Sequence, residues 1–177
     1  MTINTASLDA AYEISLETPA DAAAIEALLN RAFGPGRFVK VSERLREGNR
    51  PLSDLCLTAR SDGEVVGSVR LWPVQIGGAP CAFLGPLAVD PSRQGEGLGQ
   101  ALVAAACEAA ASAGWPAVLL VGHPPFFAKV GFVQASTDIR LPGPVEARRL
   151  LIRALRDGGA DNLAGDVVID PASAPLS

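Results

Sequence analysis

The sequence predicts an α/β fold with an antiparallel meander near its centre, and three observations carry that prediction. Strand-like runs at residues 55–59, 65–76 and 81–89 are separated by the turn signals Ser61-Asp62-Gly63 and Gly77-Gly78. A glycine-rich loop then opens a long Ala-rich helix, over about 97–113. After it, residues 117–121 form a short, wholly apolar run, the pattern of a central strand buried on both faces.

The remaining elements follow in chain order. Residues 12–16 alternate as Tyr-Glu-Ile-Ser-Leu and predict a first strand. Thr18-Pro19-Ala20-Asp21 reads as a capping box, with Thr18 as N-cap, Pro19 at the first helical position and Asp21 at the third. Ile25, Leu28, Leu29 and Ala32 recur at helical spacing until Gly34-Pro35-Gly36 stops the helix. A second, shorter helix is expected over about 39–46, ending at Gly48-Asn49. The Ala-rich helix places Leu98, Leu102, Ala106 and Ala109 on one stripe and closes at Gly114 and Pro116. A short helix near 125–129 leads into Gly131-Phe132-Val133, another strand. The tail predicts a helix over about 145–155 and an apolar run at 167–169. The whole chain, 1–177, reads as one domain with flexible ends at 1–11 and 171–177.

Composition excludes several classes of function. With 177 residues, 49% apolar and 19% charged, the chain can bury a core and is too apolar to be disordered. Its net charge is −4, and the one basic cluster is Arg148, Arg149, Arg153 and Arg156 at helical spacing. No dense basic face suited to nucleic acid is present; the cluster reads as a solvated helix face, with a local anion contact left open. Cys56, Cys81 and Cys107 are far apart and lie in apolar surroundings, so free thiols in a reducing, cytoplasmic setting are expected. A single histidine, His123, cannot complete a metal site with them, and no metal is expected. The N-terminus has neither a basic start nor an apolar stretch, so no signal peptide is read. The uncharged runs at 71–89 and 109–128 are broken by Gly and Pro, which argues against a membrane span.

The most informative stretch is Asp90-Pro91-Ser92-Arg93-Gln94-Gly95-Glu96-Gly97-Leu98-Gly99, a strand end feeding a helix start. Unpaired N–H groups at a helix N-terminus attract anions, and glycines let a phosphate approach the backbone. Three alternating glycines at a helix start are costly, about 1 kcal/mol each against Ala in a helix interior, so an empty structural turn is disfavoured. The mononucleotide P-loop requires Gly-Lys-Ser/Thr, which is absent. The dinucleotide pattern G-x-G-x-x-G fails because position 100 is Gln.

What remains, Gln94-x-x-Gly97-x-Gly99 after Val89-Asp90-Pro91, resembles the acetyl-coenzyme A signature of the GNAT superfamily of N-acetyltransferases. The preceding Gly63-Glu64-Val65-Val66-Gly67 and Leu84-Gly85-Pro86-Leu87-Ala88-Val89 fit that pattern. So does the later Gly122-His123-Pro124-Pro125-Phe126-Phe127-Ala128-Lys129-Val130-Gly131-Phe132. The likeness runs in order over about 12–170 and is greatest to the small bacterial YhbS-like branch.

The resemblance implies a mixed, mostly antiparallel central sheet flanked by helices, its fourth and fifth strands splayed to hold acetyl-CoA. The pyrophosphate would sit on the loop and helix start formed by Gln94, Gly95, Glu96, Gly97, Leu98, Gly99 and Gln100. The pantetheine arm would lie along Leu87, Ala88 and Val89, with the Val89 N–H stabilising the oxyanion. Phe126 and Phe127 would pack along the cofactor or in the core. The acetyl group would pass directly to a small-molecule or peptide amine, and a homodimer is left open. Many members carry a Tyr where this chain has Phe127, and the single Tyr, Tyr12, lies in the first strand. His123 is therefore the sharper candidate for proton transfer, with Glu43 and Glu47 as weaker bases. The loss of that Tyr also keeps open a CoA-binding module with little catalysis.

Overall fold

The computed structural model describes residues 12–173. Thr18 and Asp21 head the first helical segment as the sequence predicts, the Thr18 N–H donating to Asp21 Oδ2 at 2.8 Å. A 3-10 turn there runs into α1 (Ala22–Phe33), which ends at Gly34 with φ +66°. The meander comprises β2 (Leu57–Ser61), β3 (Glu64–Ile76) and β4 (Ala79–Val89), and β1 (Glu13–Leu16) pairs with the outer edge of β2. After α2 (Leu98–Ser112) come β5 (Ala117–Val121) and α3 (Pro124–Ala128). The chain continues through β6 (Val133–Gln134), β7 (Ile139–Arg140), β8 (Leu150–Ala154) and β9 (Gly165–Ile169).

The main sheet runs in the order β1-β2-β3-β4-β5-β8-β6. Neighbours are antiparallel except β4 and β5, which run parallel; β9 joins the far end of β3 and pairs in parallel with β7. The two long helices cover opposite faces, because adjacent residues of a strand point to opposite sides. On one face Ile25, Leu28 and Leu29 of α1 pack on Val65 and Ala88. On the other, Leu98, Leu102, Val103 and Ala106 of α2 pack on Leu57, Val69, Leu71, Leu84 and Leu120.

Three expectations change. The stretch predicted as a second helix forms two 3-10 turns, Pro35–Val39 and Val41–Leu45. Leu45 is the buried residue of the second turn. The predicted helix over 145–155 is instead a 3-10 turn, Ala147–Arg149, followed by β8. Leu151 faces the α2 side while Leu150 and Ile152 face the other, so this run is a strand buried on both faces. Arg148, Arg149, Arg153 and Arg156 therefore share no helix face. Residues 171–173 are not loose: they form a 3-10 turn in which Ser173 Oγ donates to Asn49 Oδ1 at 2.9 Å. The other residues expected to be flexible, 1–11 and 174–177, lie outside the described ones.

Candidate active site

The site begins where the sheet comes apart. β4 and β5 pair only through Ala82 with Val118 and Phe83 with Leu119. Beyond that point β4 carries a bulge. Val69 of β3 faces Leu87 and Leu71 faces Leu84, so Gly85 and Pro86 together oppose the single residue Arg70. Gly85 has φ +139°, a conformation open to glycine, and the Gly85–Pro86 bond is cis. A bulge bends its strand and increases its twist, and here β4 turns away from β5. The separation leaves a cavity of about 830 Å³ bordered by Leu84–Leu87 on β4, Leu120 and Val121 on β5, Gly122 just after it, and Phe126 and Phe127.

The backbone of β4 presents donors to that opening. The Asp90 N–H bonds the Val66 carbonyl at 2.8 Å, so the amide of Asp90 faces β3. Alternation along the strand then turns the Leu87 and Val89 N–H groups toward the parted side. Leu87 borders the cavity, whereas Val89 lies beyond it, against the start of α2.

The glycine loop is held open in a defined shape. Asp90 accepts hydrogen bonds from Ser92 N at 3.0 Å and Ser92 Oγ at 2.8 Å, which fixes the 3-10 turn Pro91–Arg93. The Ser92 contacts, with Arg31 3.0 Å away, hold the Asp90 carboxyl below its ordinary value. Gly95 and Gly97 follow at φ +85° and +78°, where a side chain would be strained, and nothing lies within 4 Å of a Cβ built on either. The first bond of α2 runs from the Ala101 N–H to the Gly97 carbonyl, so the Leu98, Gly99 and Gln100 amides have no partner within the helix. An open backbone cradle at the head of a 15-residue helix suits a diphosphate.

The two phenylalanines divide the roles considered for them. Phe126 closes over the helix start, where a Cβ on Gly99 would lie 3.1 Å from its Cζ and 3.5 Å from Val89 Cγ2. Phe127 is buried in edge-to-face contact with Phe126 and Phe132, with centroids 4.8 and 5.7 Å apart. Its ring lies so close over Gly122 that no Cβ fits there.

The sequence-based catalytic candidates separate. His123 is exposed and does not border the cavity, contrary to the expectation that it lies within the cleft. The following Pro124 favours an extended backbone, and His123 adopts φ −91°, ψ 112°. Its carbonyl accepts from the Phe126 and Phe127 amides at 3.1 and 3.2 Å, so the residue heads α3. Tyr12 is half-buried beside the α2-side core and does not border the cavity either. Glu43 and Glu47 do reach it. Glu43 pairs with Arg46 at 3.1 Å, while the Glu47 side chain has no ion-pair or hydrogen-bonding partner among the described residues, its amide donating to the Glu43 carbonyl at 3.0 Å.

Sequence reasoning missed Arg46, Arg70 and Trp72, all of which border the cavity. Arg70 carried a usable signal, as a single charge inside the apolar run of β3. Its guanidinium makes two bonds to Glu17, at 2.9 and 2.6 Å. Arg46 carried no such signal, since its segment reads as an ordinary polar surface turn.

Comparison with known proteins points the same way as the geometry. Residues 22–132 match the model of the acetyltransferase (GNAT) family. The chain is 33% identical over 156 residues to the uncharacterized N-acetyltransferase YhbS of Escherichia coli K12, covering 86% of this chain and 92% of that protein. The crystal structure of Escherichia coli YhbS in complex with CoA superposes with a TM-score of 0.78 at 31% identity, covering 90% of this chain and 89% of that one. A GNAT family acetyltransferase from Brucella melitensis, in complex with acetyl-CoA, gives a TM-score of 0.67 at 29% identity, covering 91% and 97%. A parted β4–β5 pair, a glycine cradle at the head of α2 and these likenesses along most of the chain lead to one conclusion: the chain belongs to the GNAT family of acetyltransferases.

Proposed function

We propose that this protein transfers the acetyl group of acetyl-CoA to an amine by direct attack on the thioester. The observation that carries the reading is the juxtaposition of the parted β4–β5 edge with the open glycine cradle at the start of α2. The cradle amides of 94–100 hold the pyrophosphate, and the exposed β4 edge receives the pantetheine arm as a further strand would be received. Because Leu87 borders the cavity and Val89 does not, the Leu87 N–H is assigned to the thioester carbonyl and the Val89 N–H to the arm. Phe126 packs against the cofactor side of α2.

The new C–N bond forms as the C–S bond breaks. The ammonium must first lose a proton, and Glu47 is the cavity carboxylate available to take it. Phe127 offers no proton to the departing sulfur, so the thiolate leaves unassisted or takes its proton from solvent. The acceptor is a small-molecule or peptide amine. The nine strands among the described residues are joined by continuous pairing, which favours a single acyltransferase unit. No helix among the described residues is long and apolar enough to cross a membrane, and three buried free cysteines favour a cytoplasmic setting. A homodimer is part of the proposal only as the common arrangement of soluble oligomers.

Phe127 and the exposure of His123 favour one second reading, a CoA-binding module without turnover. Incubation with acetyl-CoA and a panel of amines, followed by mass spectrometry of products, separates the two. Acetylated product supports the transferase, tight CoA binding without product supports the module, and absence of CoA binding refutes both.

A further inference from the structure

We propose that the amine acceptor also carries a carboxylate, bound by Arg46 with Arg70 beside the β4 bulge. The inference rests on the transferase reading and adds the chemical class of the acceptor. Arg46 stands in the cavity wall with its side chain only 14% exposed. One of its nitrogens, Nη1, reaches Glu43 at 3.1 Å. Nη2 lies over Gly85, where a Cβ would stand 2.6 Å from it, so the bulge glycine makes the room that the guanidinium occupies. Nε is buried and has no hydrogen-bonding partner among the described residues.

A guanidinium cannot shed its proton near neutral pH, so burying one with donors unmet is unfavourable unless an anion arrives. Arg70 lies close by on the same wall, and its charge adds to burial in disfavouring the Arg46 cation. Glu43 offsets this in part through its bond to Arg46. Of the other acids lining the cavity, Glu26 is held by Arg37 and Glu146 by Arg148, while Arg70 itself is paired with Glu17. Glu47 remains for the ammonium end of the same molecule. The bulge adjoins Leu87, so a carboxylate anchored at Arg46 would hold a short amino acid near the thioester. With Nη1 on Glu43 and Nε closed to a ligand, the carboxylate would meet the remaining, cavity-facing part of the Arg46 guanidinium in a charge-assisted contact.

The competing role for Arg46 is mechanical, as a prop for the bulge beside the Trp72 indole, which donates to the Gly85 carbonyl at 2.5 Å. The test uses paired amines that differ only in carboxylate against carboxamide, glycine with glycinamide and β-alanine with β-alaninamide, together with tyramine and spermidine. For wild type, kcat/KM is expected to favour the carboxylate of each pair by about 10- to 100-fold, the scale of charge-assisted hydrogen bonds. Arg46→Gln should bring each ratio to near unity, chiefly by raising KM. Arg46→Lys should recover part of it, and Arg70→Gln should lower it independently. CoA affinity and thermal stability of each variant report an intact fold.

Turnover of tyramine or spermidine with the carboxylates ignored would overturn the inference and leave the transferase standing. Equal loss on both members of each pair in Arg46→Gln would assign the residue to propping the bulge and also overturn it. If no amine is acetylated, the transferase reading fails separately, and β-alanine is titrated onto the CoA-loaded protein. Binding sensitive to Arg46→Gln supports the anion site, and no binding refutes it.

Discussion

Replacing Gly97 with Asp separates the fold from cofactor binding. Gly97 stands at φ +78°, ψ 5° as the N-cap of α2, with open space where a Cβ would be. A left-handed conformation costs an L-residue about 1–2 kcal/mol. An Asp at an N-cap returns a few tenths relative to Gly. The net loss of about 1 kcal/mol corresponds to a fall in Tm of roughly 2–4 °C for a chain of this size. Binding should respond far more strongly. A carboxylate placed about 6 Å from a diphosphate, at an effective dielectric of 20–40, opposes each unit charge by about 1–3 kcal/mol. CoA affinity should therefore fall by at least ~10-fold, and by ~100-fold or more if both phosphate charges are felt. Isothermal titration calorimetry at low salt measures this, with Gly97→Ala as the control that shares the strain without the charge. The gap between the two variants should narrow as salt is raised. Equal CoA affinity in the Asp and Ala variants would refute the placement of the pyrophosphate.

Three other outcomes follow from the fold. Gly122→Ala forces a Cβ into the Phe127 ring, and Phe127→Ala empties the site that the ring fills. Urea unfolding should show losses of about 1–3 kcal/mol for the first and 3–5 kcal/mol for the second. Burial raises the Asp21 carboxyl, but the Thr18 amide and Arg60 outweigh it, and its pKa lies below the ordinary value of 3.8. A carboxyl depressed in the folded state contributes stability above its unfolded pKa and loses it as pH falls through the folded one. The stability gap between wild type and Asp21→Asn should thus be full at pH 6 and shrink from about pH 4 downward, as followed by thermal melts. Burial pushes the thiols of Cys56 and Cys107 up to about 11 and that of Cys81 to about 12. A thiol reagent at pH 8 should therefore leave the native protein unlabelled and titrate these cysteines only in denaturant; prompt labelling of the native chain would contradict the packing.

The parts of the fold legible in the sequence were those set by local chemistry. The Gly-containing turns separated β2, β3 and β4, and the uniform apolarity of 117–121 marked β5. Residues 150–154 were misread because Leu150, Leu151 and Ile152 satisfy a helical and a strand pattern equally over so short a run. What decides is the presence of β5 on one side and β6 on the other, which is tertiary information. The cradle was legible because alternating glycines at a helix start have few other uses. The acceptor wall was not. Arg46 and Arg70 are 24 positions apart by their numbers and come to one cavity wall only in the fold, where the bulge glycine Gly85 leaves room for the Arg46 guanidinium. His123 stands next to β5 as the sequence suggests, but it is exposed and heads α3 without bordering the cavity.

The brief pairing of β4 with β5 bears on how the chain reaches and keeps its shape. Strands β1 to β4 form one zipped unit from sequence-adjacent hairpins, while β5, β8 and β6 form another. Two residue pairs stitch them along the β4–β5 line; the rest of the coupling comes from α2 on one face, reaching Leu57 and Val69 in the first unit and Leu120 and Leu151 in the second, from the opposite face, where Val74, Cys81 and Phe83 pack with Leu119, Leu150 and Ile152, and from β9 on the edge of β3. A cosubstrate bridging the gap would act as the missing crosspiece, and the second unit would gain protection against local opening whenever the cosubstrate is bound.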